Sequence, residues 1–417
     1  MRILHISDLH LGKVIHGVSL LENADQPVWA ERFLALADQL RPQAVVISGD
    51  VYDRGSPSGA AVALLSHLIE GLAERDISVL LSAGNHDSGQ RLAFARDILA
   101  KQKVHIAGTV ERELCHVTLR DEYGPVHFWL MPYVFPAAVA QVLGDDTIRD
   151  YDTAVRRLLE IQGINRSERN VIVAHQNVTA RGAEVPRGGS ESTVGGVGQV
   201  DYTAFDAFDY AALGHIHAAY PVGREAVRYA GSPLCYHFNE TRQPAKGPVL
   251  VELGPKGTPP RIETLTIPPL HPMREMRGAY EELRERELSG NARGEYLRLV
   301  ITDQPLTPEI SDFFQSLAEQ RGSILMDRTS EYRRFTEDIT GTDTQAIRGK
   351  TLEELFADFY TDRAGGNEPE TQDLALLHEA GELLRNSPPA VGKRDAVDPE
   401  ITAALLQYLM GQEGAEK

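Results

Sequence analysis

A chain of 417 residues is longer than one ordinary domain, and 42% hydrophobic with 24% charged residues marks a globular protein with a sizeable core. No run of about 18 apolar residues occurs, which excludes a membrane span; the N-terminus lacks the apolar stretch of a secretory signal, and two cysteines, Cys115 and Cys235, exclude a disulfide scaffold, so free thiols in a reducing cytoplasm are expected. The formal net charge of −18 argues against a broad basic DNA face, but it is uneven: residues 1–270 hold 25 Lys and Arg against 31 Asp and Glu, and residues 271–417 hold 17 against 29.

Strands and helices alternate through the first part. Ile3–Ile6 reads as a buried strand, and Pro27–Arg41 has helical spacing in Trp29, Phe33, Leu36 and Leu40. Ala44–Ser48 is a β-branched run, hence a strand. Ser56–Arg75 reads as a helix with Ser56 as cap and Pro57 at its first position. Ser78–Ser82 is a strand and Leu92–Lys101 a helix; Val126–Met131, Asn170–Ala174, Tyr210–Leu213, Val227–Ala230 and Val249–Leu253 are further strands. This order predicts an α/β fold, a layered two-sheet sandwich flanked by helices. Thr266–Pro272 is a Pro-rich break and a candidate linker. Beyond it, Tyr296–Ile301, Ile310–Gln320 and Ile324–Asp327 read strand, helix, strand. Short amphipathic helices follow at Leu352–Tyr360, Leu374–Leu384 and Ile401–Met410, too short to be stable alone. The expected division is 1–268, a small α/β domain over 269–340, and a helical region over 341–417.

Five short motifs carry candidate chemistry: Asp8-x-His10, Gly49-Asp50, Gly84-Asn85-His86-Asp87, His175, and Gly214-His215-x-His217. Each follows an apolar strand-like run, and in α/β sheets ligands collect at the carboxyl ends of strands. Two Asp, one Asn and four His exceed what one tetrahedral zinc needs, and no thiolate is among them. Such a set suits two ions sharing a carboxylate, with Mn²⁺ or Fe²⁺ fitting the donors. Two ions about 3.5–4 Å apart can clamp a phosphate and activate water. Singly, each motif is weak: an isolated Asp-x-His or Gly-Asp is usually a loop, and Asn and Asp commonly cap turns. Their joint occurrence in order is what points to a site. His5 reads as a core or supporting residue, and the remaining histidines have no motif context.

In order, these motifs resemble the calcineurin-like metallophosphoesterases. That resemblance implies that Asp8, His10 and His217 hold one metal, that Asn85, His175 and His215 hold the other, and that Asp50 bridges. It implies a non-ligand role for His86 as a general acid at the scissile phosphate, with Asp53 hydrogen-bonded to it. Arg54 is a candidate phosphate contact. The strings MRILHISDLHLGK, GDVYDRGSPS, GNHDS, LGHIH and YAGSP are similar to the SbcD nuclease family, and the similarity runs on through the small α/β unit, which resembles that family's capping domain. It implies two Mn²⁺ ions (with Fe²⁺ or Mg²⁺ as alternatives), DNA as substrate, an SMC-like ATPase partner, SbcC, docked by the last region, and a homodimer within a heterotetramer with contacts on the early helices. Some relatives carry His where this chain has Asp53. The Gly-rich stretch Arg181–Gly198 lacks a P-loop pattern and reads as a surface loop; following His175, it makes Arg181 and Arg187 candidate phosphate contacts.

Two other readings stay open from the residues alone. GDVYDRG also looks like the protein phosphatase motif, which allows a phosphomonoesterase, although those enzymes carry Gly-Asn-His-Glu. A catalytically inactive scaffold would be expected to have lost ligands, and every position here is filled.

Overall fold

The structure, a computed structural model, describes residues 1–180, 198–243 and 246–332, with 351, 354, 356, 357, 361, 369 and 374. Met1–Tyr332 forms one compact unit and Arg333–Lys417 a second. The helices expected over Leu352–Tyr360, Leu374–Leu384 and Ile401–Met410 lie outside the described residues save for isolated positions. At one of these, Thr351 and Glu354 exchange bonds: the Thr351 N–H donates to the Glu354 carboxylate at 2.8 Å, and the Glu354 N–H donates to Thr351 Oγ1 at 3.2 Å. This is the reciprocal pairing that starts a helix.

Two six-stranded sheets form the body of the first unit. One runs in the order Arg261–Thr264, Val249–Glu252, Arg2–Ile6, Ala44–Ser48, Ser78–Ser82, Val104–Ala107, and its last four strands are parallel. The other runs Pro221–Val222, Arg224–Tyr229, Tyr210–Gly214, Arg169–His175, Gly124–Met131, Cys115–Asp121, with four parallel strands at its centre. Parallel strands covered on both faces need continuous apolar runs, and Ala44–Ser48 and Ser78–Ser82 are buried at every position.

Side chains alternate across a strand, and this sorts the core into layers. Ala44, Val46 and Leu80 join Phe128, Leu130, Val171, Val173 and Ala212 between the sheets. Val45, Ile47, Val79 and Leu81 face outward onto Trp29, Phe33, Leu65 and Leu68, from the helices Asp25–Leu40 and Gly59–Glu74. On the far side, Ile172, Ala174, Ala211 and Leu213 pack on Val139, Val155 and Leu158, from helices Pro136–Leu143 and Tyr151–Glu160. His5 bridges the sheets: its ring nitrogens lie 2.9 Å from the Tyr210 hydroxyl and 3.0 Å from Ser48 Oγ. Burial lowers its pKa to about 3, so it serves as a neutral core residue.

Two sequence expectations are corrected. The second helix is capped by Ser58, whose Oγ accepts from Ala61 N at 3.2 Å, not by Ser56; Pro57 lies outside it, and Ser56 Oγ is taken by Arg91. The helix expected over Leu92–Lys101 is broken into Gly89–Leu92 and Arg96–Leu99, with Ala95 left-handed at φ 60° between them. Its start is pinned, because Gly89 packs so tightly that an added Cβ would stand 2.0 Å from Gly108 O.

The parallel strands Met273–Gly278, Tyr296–Ile301 and Ile324–Ser330 alternate with helices Tyr280–Ser289 and Pro308–Gln320. Met276, Leu283, Leu299, Ile310 and Phe314 give this unit its own apolar cluster. Asp25 ties it to the sandwich: His271 Nδ1 lies 3.0 Å from its carboxylate, and the Tyr296 hydroxyl donates to the same group. Among the described residues no helix is long and apolar enough to cross a membrane.

Candidate metal centre

Parallel strands of both sheets end at one edge of the sandwich. The first sheet delivers Asp8 and His10 after Ile6, Asp50 after Ser48, and Asn85 and His86 after Ser82. The second delivers His175 as the last residue of its strand, then His215 and His217 just past Gly214. The candidate ligand atoms of Asp8, His10 and His217 lie within 4.8 Å of one another. So do those of Asp8, Asp50 and His175, and those of His10, Asp50 and His86.

The backbone is bent to achieve this. Asp8, His10, Asp50 and His215 have φ of 52°, 41°, 48° and 104°, values that side chains other than glycine rarely adopt and that cost about 1–3 kcal/mol each. The glycines beside them are required by space. A Cβ at Gly84 would stand 2.1 Å from Asp50 Oδ1, and one at Gly214 would stand 1.8 Å from Ser48 O. Asp87 locks two of the loops together, its carboxylate accepting N–H bonds from Gly84 (2.9 Å), Val51 (3.1 Å) and Tyr52 (2.9 Å). It therefore fills the turn-capping role that Asn and Asp often take, while Asn85 stands at the mouth.

The inner contacts fall into two overlapping groups. Asn85 Oδ1 lies 3.1 Å from both His175 Nε2 and His215 Nδ1. Asp50 Oδ2 is 3.3 Å from His175 Nε2, 3.6 Å from His10 Nε2 and 4.0 Å from His86 Nε2. Asp8 accepts the His215 backbone N–H at 3.0 Å. Burial opposes ionisation of Asp50, yet the charges of His175, His10 and His86 hold its carboxyl well below the usual range. Burial alone would depress His175; the Asp50 carboxylate overrides it and raises the imidazole to about 9. Burial, then the charge of His175, lowers His215 to about 4, and burial lowers His10.

These residues fit divalent cations. Two carboxylates are buried side by side, and His10 Nε2 is buried with no hydrogen-bond partner, an arrangement that is costly unless something positive lies between them. The outer nitrogens of His175 and His217 are anchored, which aims the inner ones. His175 Nδ1–H donates to Ser48 O at 2.8 Å. His10 Nδ1 lies 3.5 Å from Asp53 Oδ1, and His217 Nδ1 lies 3.3 Å from Glu240 Oε1.

The expected bond from the Asp53 side chain to His86 is not made. His86 Nδ1 instead meets the Asp53 backbone carbonyl at 3.1 Å, because Lys13 draws the carboxylate away in a 2.8 Å ion pair beside His10. His86 is 43% exposed and opens towards solvent. Arg54 also stands at the rim, 79% exposed and 3.8 Å from Asp53. Arg181 and Arg187 lie outside the described residues.

Glu240 escaped the sequence reading. It sits in the short helical turn Phe238–Arg242, with no motif around it, and only tertiary contact reveals it. Buried, it pairs with Lys246 at 2.9 Å as well as with His217; burial opposes its charge, but these partners hold its carboxyl at about 2. Glu240→Gln is expected to weaken metal binding by about 10–100-fold, read by calorimetric titration of the metal-free protein. Unchanged affinity would show that Glu240 serves packing alone.

The sequence pattern of calcineurin-like phosphoesterases matches residues 1–219. A relative from Staphylococcus epidermidis, named as the D subunit of nuclease SbcCD, is 29% identical over 309 residues, covering 73% of this chain and 79% of that protein. One of the same name from Staphylococcus saprophyticus subsp. saprophyticus is 28% identical over 378 residues, covering 85% and 98%. A solved structure, TT1561 of Thermus thermophilus, overlaps with a TM-score of 0.28 at 12% identity, covering 44% of this chain and 71% of that one.

Proposed function

Because the chain belongs to the calcineurin-like phosphoesterase family, we propose that it is a metal-dependent nuclease subunit that hydrolyses phosphodiester bonds in DNA. The observation that carries this reading is the convergence of Asp8, His10, Asp50, Asn85, His175, His215 and His217 on one edge, with His86 open to solvent beside them. Two relatives named as nuclease subunits over most of their length support it.

In this reading Asp8, His10 and His217 hold one cation, Asn85, His175 and His215 hold the second, and Asp50 is shared. Mn²⁺ fits this mixed oxygen and imidazole set, with Fe²⁺ and Mg²⁺ as competitors. When bound, the pair supplies the positive charge that orients the phosphate and activates water. His86 does the proton work. With Nδ1–H donating to the Asp53 carbonyl, Nε2 carries the proton that passes to the leaving oxygen as the P–O bond breaks. Asp53 supports His10 and Lys13, while Arg54, with Arg181 and Arg187, steadies the DNA backbone.

We assign residues 1–268 to the nuclease domain, 269–340 to a capping domain and 341–417 to docking of an SMC-like ATPase, SbcC. That partner would supply the DNA grip that a chain of net charge −18 lacks, in end processing, hairpin cleavage, repair and recombination. The free Cys115 and Cys235 accord with a cytoplasmic setting.

A homodimer within that assembly would use the early helices. Phe94, in the turn before the short helix Arg96–Leu99, and Ile98 on that helix are 81% and 68% exposed, and Val62 on the second helix is 46% exposed; these exposed apolar side chains support that reading. The double variant Phe94→Asp, Ile98→Asp is expected to sediment as a monomer and to keep turnover of bis-p-nitrophenyl phosphate. An unaltered oligomer would move the interface elsewhere.

The deciding experiment is Mn²⁺-dependent hydrolysis of linear double-stranded DNA beside p-nitrophenyl phosphate and its bis-ester. DNA and diester cleavage supports the nuclease. Strong monoester turnover with intact DNA would favour a phosphomonoesterase, and silence on all three, even with the ATPase present, would leave a scaffold.

A further inference from the structure

One flank of the metal centre is aromatic. The strand Gly124–Met131 runs beside the strand that ends in His175, and the chain leaving it sets Tyr133 next to His175 and His215, with Phe135 against Tyr133. The Tyr133 ring lies 6.1 Å from the His175 ring and 6.1 Å from the His215 ring, centroid to centroid. Phe135 stands 4.8 Å from Tyr133 at 67°, and Tyr151 stands 6.2 Å from it.

These rings sit on fixed supports. The Tyr133 N–H donates to Ala83 O at 2.8 Å, and its half-buried hydroxyl pairs with Tyr151. Phe135 is the residue before the helix Pro136–Leu143, and Pro136 at the first helical position sets the direction of entry. Its side chain is nevertheless 51% exposed. A large apolar ring is thus exposed to solvent at the start of a helix, one ring removed from His175 and His215.

We propose that Phe135, backed by Tyr133, stacks an unpaired nucleobase adjacent to the scissile phosphate. This rests on the nuclease reading above and specifies its substrate: DNA whose terminal bases have left the duplex. A paired base presents only its edges to a protein, whereas an unpaired base offers a face, and faces stack on aromatic rings with little regard to sequence. The ring therefore acts as a positioning residue that selects frayed or single-stranded ends.

The test pairs the ring with the base. The full chain with Mn²⁺ is given single-stranded oligonucleotides bearing either thymine or an abasic tetrahydrofuran unit on each side of the cleaved bond. For the wild type, removing the base should raise KM about tenfold with kcat little changed. Phe135→Ala should raise KM equally on the thymine substrate and become indifferent to the abasic unit, while Phe135→Trp should restore the preference; unchanged Tm in both variants checks folding. Equal KM for thymine and abasic substrates in the wild type overturns the proposal but leaves the nuclease reading intact. So does a loss in Phe135→Ala that is the same on both substrates, which would point to a protein contact instead. Failure of the Mn²⁺-loaded wild type to cut any DNA overturns both.

Discussion

His86→Ala is expected to leave metal content near normal while DNA hydrolysis falls by about 10²–10⁴-fold. The imidazole stands 43% exposed, its ring centroid 4.8 Å from that of His10, with Nδ1 held by the Asp53 carbonyl. What orders Asp50 is the His86 backbone N–H, which donates to Asp50 Oδ1 at 2.9 Å, and alanine keeps that bond. The substitution therefore removes a proton donor and spares the geometry of the shared carboxylate. Elemental analysis beside the DNA assay reads both quantities. A loss of metal matching that of a true ligand variant would sink the assignment and make His86 a ligand, a reading that its place in the His10, Asp50 and His86 group keeps testable.

Asp50→Ala should fail differently, losing metal and activity together. Asp50 Oδ2 faces His175, His10 and His86 within 4.0 Å, so both proposed ion positions lose their common oxygen donor at once. If the ions supply about 4 kcal/mol of transition-state stabilisation, turnover drops about 10³-fold or more. A thermal measurement separates the variants independently of activity. Ligand that binds only the folded state raises its stability, so added Mn²⁺ should raise the Tm of the wild type and His86→Ala but barely move that of Asp50→Ala. An undiminished shift in Asp50→Ala would show that the carboxylate does not bridge.

Much of the sandwich was legible because buried parallel strands are written as unbroken apolar runs. Ala44–Ser48 and Ser78–Ser82 were read to their observed ends for that reason. The edge strand Cys115–Asp121 was not read: it alternates exposed and covered residues, and its charged Arg120 and Asp121 resemble a loop. The early helix start at Gly89 goes with its close packing on the Gly108 backbone, which lies beyond any local pattern. The same limit applies at the site. Asp8, His10, Asp50 and the Gly-His-x-His pair announce themselves because each follows a strand and sits beside a glycine or another ligand type. Glu240 and Tyr133 lie in stretches with no such punctuation, and they matter only through what the fold brings beside them. The role first read for the Asp53 side chain went astray because sequence spacing could not show Lys13 competing for it.

The division of the ligands between the two sheets has a mechanical consequence. Each proposed half-set mixes side chains from both: Asp8 and His10 with His217, and Asn85 with His175 and His215. The interior between the sheets is held mainly by apolar contacts, which have no direction, with a few hydrogen bonds such as that of His5 to Tyr210 across it. Coordination is directional, so the ions would act as rivets through the rim of the sandwich. Prying the sheets apart and unloading the ions would then be a single event, and the proposed catalytic rim would also help to keep the two halves of the fold in register.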